Sequence, residues 1–165
     1  MTAETAQMRD LKQHFLFPCM IFCDRDECLV STVLGSCVSV CLYEPVMRAG
    51  GINHFMLPFW NGEGLASPKF GNIAVARLIA DMESLGCRAA QLKAKVFGGA
   101  KVLSAKINSE LNVGERNIQS AMDALNRAGI PVAAASVGED YGRKIIFNTA
   151  TGEILLKRIS RIDEK

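Results

Sequence analysis

A thiol and an imidazole are the side chains of this sequence best suited to form a covalent intermediate and move a proton near neutral pH. Six cysteines and two histidines are present. Cys37 stands in Leu34-Gly35-Ser36-Cys37-Val38. The small residues before it let the backbone turn sharply and let a substrate approach. Gly35 and Ser36 also leave backbone N–H groups uncovered that can stabilise an oxyanion. The thiolate attacks and the thiol does not, so such a site must lower the thiol pKa or supply a base. His54 is the realistic base. It sits late in a predicted strand, just before a loop containing Pro58. His14 has no clear partner. The bland alternatives stay open on these residues alone. Cys37 reads equally as a buried strand thiol like Cys41, and His54 as a hydrogen-bonded strand histidine.

Other motifs carry less. Cys19, Cys23 and Cys28 lack the paired CxxC spacing of a structural zinc site, and no second pair follows. No metal is expected. Gly98-Gly99 belongs to neither GxxxxGK[ST] nor GxGxxG, so it is a tight turn or bulge and not a phosphate loop. No cofactor is implied.

The composition fits one globular domain over 1–165, with residues 1–14 as a mobile leader. Apolar and aromatic residues make up 49% and charged residues 22%, enough to build a core without disulfides. The net charge is +2 and the basic residues are scattered, which argues against nucleic acid. No apolar run reaches the roughly 18–20 residues of a membrane span. The polar N-terminus lacks a signal-peptide core. The expected location is cytoplasmic.

The elements that must position Cys37 and His54 read as follows. Residues 28–33 and 38–43 are rich in β-formers, and Val38, Val40 and Leu42 alternate. Arg48-Ala49-Gly50-Gly51 carries turn signals, and 52–57 reads as a third strand. A helix is predicted over 68–85, with Ser67 as N-cap, Pro68 at its first position and Gly86 beyond its end. A strand at 91–97, a helix at 115–128 and strands at 132–137, 143–148 and 153–159 complete the chain. The bunched order βββ-α-β-α-βββ predicts an α+β fold: a layered α/β/β/α sandwich with mixed or antiparallel sheets and two main helices.

With these residues in place, the segment Thr32 to Tyr43 resembles the T-x-L-G-S-C-V-x-V signature of the chemoreceptor glutamine deamidase CheD family. Gly51 to Pro58 resembles its G-x-x-H-x-x-L-P block, and Lys95 to Ala100 its K-x-F-G-G-A block. Ile107 to Asn117 is similar to its I-G-x-x-N block, and Gly142-Arg143-Lys144 and Thr151-Gly152-Glu153 to its closing elements. The resemblance implies an amidohydrolase converting glutamines of methyl-accepting chemoreceptors to glutamate. In that family a Cys is the nucleophile, a His the base, and an upstream Thr orients the His. The first two carry over to Cys37 and His54. The third falls on Ser31, six residues before the Cys, with Thr32 as alternate, because neighbouring strand residues point to opposite faces. The oxyanion is expected on N–H groups near Gly35 and Ser36. Phe70, Gly98 and Gly99 are candidates for a substrate or partner groove. Some relatives bind the phosphatase CheC, so a binding module docking to CheC or receptors, with little or no catalysis, is the alternative function.

Overall fold

Alternation along the strands builds the two sheets around the site. In Cys28–Leu34, the side chains of Val30, Thr32 and Leu34 point one way and are buried, while Val33 points the other way and is exposed. In Val38–Glu44, Val38, Val40 and Leu42 join one apolar cluster and Cys41 joins another. That strand therefore has a buried surface on both sides, and a layer must cover each.

The structure, a computed structural model, describes residues 10–101 and 113–159. Strands β1 (Lys12–Phe15), β2 (Ile21–Asp24), β3 (Cys28–Leu34), β4 (Val38–Glu44) and β5 (Ala49–Asn53) precede helix α1 (Gly71–Ser84). Then come β6 (Lys93–Gly98), helix α2 (Val113–Ala128) and strands β7 (Val132–Val137), β8 (Gly142–Asn148) and β9 (Ile154–Ile159). A four-stranded sheet has the order β1-β3-β8-β9 and a five-stranded sheet the order β2-β5-β4-β6-β7. Both are mixed, through the parallel pairs β1–β3 and β6–β7. The α+β class, the two main helices and the β8–β9 hairpin match the sequence expectation.

One apolar cluster lies between the sheets, joining Val30, Leu34 and Phe147 to Cys41 and Ile52. The other lies between the five-stranded sheet and the helices, joining Val40 and Leu42 to Leu78, Met82 and Leu125. Both helices pack on that one sheet. Among the described residues the layers thus run helix, sheet, sheet, where a helical layer at each end was expected.

Three boundaries move for physical reasons. Residues 12–15 pair in parallel with β3, where a mobile leader over 1–14 was expected; residues 1–9 lie outside the described residues. The turn before β5 is made by 44–48, where Arg48 takes φ 55° and the Glu44 carboxylate accepts the N–H groups of Val46 and Met47. Gly50 and Gly51 are strand residues that allow close packing. A Cβ on Gly51 would lie 2.8 Å from both Cys23 Cβ and Leu78 Cδ1. Finally, α1 starts at Gly71, because residues 69–71 are engaged with 56–57. Met56 and Leu57 N–H both donate to Lys69 O, and Gly71 N–H to Leu57 O. The N-cap is Phe70, without a side-chain cap, and not Ser67.

Candidate active site

Cys37 follows β3 and immediately precedes β4, in a loop whose carbonyls are held one after another. Ala100 N–H donates to Gly35 O at 3.0 Å and Gly99 N–H to Cys37 O at 2.9 Å. Asn117 Nδ2, from α2, donates to Ser36 O at 3.0 Å. Gly98 and Gly99 take φ of 109° and 72°, a region costly for other residues. A Cβ on Gly98 would overlap the Cys37 carbonyl oxygen. No described residue accepts the N–H of Ser36 or of Cys37 in a backbone bond. Those donors are the ones an oxyanion beside Cys37 would need.

His54 is reached through the neighbouring strand. β4 and β5 pair antiparallel, and an isolated bridge extends the same register to Val38 and Phe55. The Asn53 side chain interrupts the ladder by taking the Val40 N–H at 2.8 Å. In this register Ser39 stands opposite His54 and Cys37 opposite Met56, so Cys37 and His54 are diagonal neighbours. Diagonal positions lie about 7–8 Å apart at Cα, within side-chain reach. Val38 and Phe55 face the helices. Cys37 packs against the cluster between the sheets, and His54 bonds to β3 across that same gap.

That bond fixes the chemistry of the imidazole. Thr32 Oγ1 lies 2.7 Å from His54 Nδ1 and donates to Leu16 O at 2.8 Å. A hydroxyl has one hydrogen, and Leu16 O takes it. The Thr32 oxygen therefore accepts, and Nδ1 carries the ring proton. Nε2 is left with its lone pair, as a base requires.

Burial sets the protonation states. It pushes the Cys37 thiol up to about 11, helped by nearby Cys19, and the imidazole down to about 4. Both shifts favour the uncharged forms, so the thiol and the imidazole rest neutral near neutral pH. Cys41 is fully buried and its thiol is pushed up further, which makes it inert.

The expected residues fall into place unequally. Thr32, not Ser31, meets the histidine. Ser31 is on the opposite face of β3, and its carbonyl accepts the Leu16 N–H. Gly35 and Ser36 precede Cys37 in the loop between β3 and β4. Gly98 and Gly99 are buried beneath the Cys37 loop, so they brace it instead of lining a groove. Phe70 is half-buried at the start of α1. Residues 107–112 of the Ile107–Asn117 block lie outside the described residues. No cluster of three or more His, Cys, Asp or Glu able to hold a metal occurs among the described residues.

Two features went unread in the sequence. The first is Asn117. It shares the buried face of α2 with Ala121 and Leu125 at helical spacing, and an amide on an apolar stripe is a legible sign of a buried polar contact. The second is an apolar rim. Cys19 N–H donates to His54 O at 2.7 Å, which holds the turn bearing exposed Phe17 and Met20 beside His54. Met56, opposite Cys37, is also exposed and touches Cys19 Sγ.

The chain is similar to known proteins along most of its length. A 148-residue match at 51% identity, covering 90% of this chain and 91% of the relative, is to the "Probable chemoreceptor glutamine deamidase CheD" of Trichlorobacter lovleyi. The protein of the same name from Sulfurimonas denitrificans is 44% identical over 82% of this chain and 86% of its own. A solved structure, the Neisseria meningitidis protein NMB0706, is alike over 82% of this chain and 66% of its own, with a TM-score of 0.48 and 10% identity. The family described as CheD chemotactic sensory transduction matches residues 56–158, and with these relatives it shows that the chain belongs to the CheD family.

Proposed function

We propose that this protein is a cysteine amidohydrolase that deamidates glutamine side chains of chemoreceptors to glutamate. The observation that carries the reading is the Leu16–Thr32–His54 relay, which leaves Nε2 as a free base on the side of the strand pair where Cys37 lies. The relatives' printed names supply the substrate class. The apolar rim of Phe17, Met20 and Met56 favours a protein surface over free glutamine.

In the proposed reaction His54 Nε2 takes the Cys37 proton as the sulfur attacks the glutamine Cδ. The oxyanion is held by the N–H groups of Ser36 and Cys37. His54 then gives its proton to the departing ammonia, and water hydrolyses the thioester. Thr32 accepts from Nδ1–H throughout, so it stabilises the imidazolium that forms transiently. The site acts within the chemotaxis machinery, and CheC is a candidate partner on family grounds. No described helix is long and apolar enough to cross a membrane.

The test is ammonia release from a chemoreceptor cytoplasmic fragment. Wild type should release ammonia and Cys37→Ala should release none above background. Equal release by the two proteins would refute the nucleophile.

A further inference from the structure

Asn117 is completely buried on the face of α2 that packs against the five-stranded sheet. Its Nδ2 makes two bonds of 3.0 Å, to Ser36 O and to Met56 O. Its Oδ1 is buried and has no partner among the described residues. A flipped amide would set that oxygen against two carbonyls, so the bonds fix the orientation. Packing alone would be served better by an apolar residue such as Leu125 on the same face, which strands no polar atom. What the amide adds is its pair of donors.

The two acceptors lie on the two segments that carry the site. Ser36 O belongs to the peptide whose N–H is that of Cys37. The peptide is planar and trans, so holding the oxygen on one side aims the Cys37 N–H to the other. The flanking carbonyls of Gly35 and Cys37 are held by backbone donors of Gly99 and Ala100; Ser36 O alone of the three is held by a side chain. Met56 O lies two residues beyond His54, so one NH2 group joins the nucleophile's peptide to the segment of the base.

We infer that Asn117 is a positioning residue for deamidation, holding the Ser36–Cys37 peptide so that the Cys37 N–H faces the developing oxyanion. The inference rests on the deamidase reading above. Asn117 itself does not touch the substrate; it sets the direction of the donor that does.

Full-length wild type, Asn117→Ala and Asn117→Leu are compared in ammonia release from a receptor fragment, with Cys37 alkylation by iodoacetamide measured in parallel. Leu refills the space that Ala vacates, so a cavity does not decide the outcome. Alkylation forms no oxyanion and reports on the thiol alone. In each folded variant, kcat is expected to fall by about 10². KM and the alkylation rate should stay within about threefold of wild type. A folded variant that keeps its kcat overturns the inference. So does a loss of alkylation in step with kcat, which would mean that the whole site had collapsed. A wild type as inactive as Cys37→Ala overturns the deamidase reading and this inference with it. An active wild type with equally active Asn117 variants overturns the inference alone.

Discussion

Thr32 has a single hydroxyl hydrogen, and its use by Leu16 O decides which nitrogen of His54 keeps its lone pair. Thr32→Val should therefore release the ring and lower kcat by about 10². Thr32→Ser should restore most of the activity, and Ser31→Ala should stay within about twofold of wild type. Steady-state kinetics of the three variants check this; a Ser31→Ala as impaired as Thr32→Val would contradict the assignment. The sequence could not separate the two hydroxyls, because β3 is apolar on both faces. Leu29 and Val33 flank Ser31 as Val30 and Leu34 flank Thr32, and Leu29 is buried as well. Protonation adds a pH prediction. Burial favours the neutral imidazole, so His54 stays a competent base until the pH falls towards 4. The kcat/KM profile should be flat from about pH 5 to about pH 9. An acid limb at the ordinary imidazole pKa near 6.5 would contradict a buried neutral base.

Between residue and fold, the loop carrying Cys37 is braced by the end of β6. Gly98→Ala would drive a Cβ onto the Cys37 carbonyl at φ 109°, at a cost of about 2–4 kcal/mol. Gly62 has φ 93° but nothing within 4 Å, so Gly62→Ala carries the backbone strain without the collision. Thermal melting and kcat should both fall for Gly98→Ala and change little in kcat for Gly62→Ala. Equal losses in the two would show that the contact with Cys37 is immaterial. Elements with strong periodicity were legible: β4, the body of both helices and the β8–β9 hairpin. Gly50 and Gly51 misled, since glycine permits a turn and close packing alike, and only the positions of Cys23 and Leu78 decide between them. β1 was hidden because its four residues are all exposed and carry no alternating pattern.

At the scale of the whole molecule, the Cys37 loop, His54 and Thr32 come from the β3–β4 connection, the end of β5 and β3, brought together where the two sheets face each other. The ordered blocks made the family legible from the sequence, and bunched strands made the α+β class legible. The side on which each helix packs depends on contacts between distant segments, which local pattern does not encode. The same limit hid the tie between Asn117 and the Ser36 carbonyl, 81 residues apart. In the proposed reaction Cys37 converts a receptor side-chain amide to an acid. Mass spectrometry of a chemoreceptor cytoplasmic fragment, incubated with wild type and with Cys37→Ala, tests it most directly. Wild type should convert glutamine to glutamate at discrete sites, and Cys37→Ala should leave the fragment unchanged. An unchanged fragment with wild type, or the same conversion with Cys37→Ala, would contradict the proposed reaction.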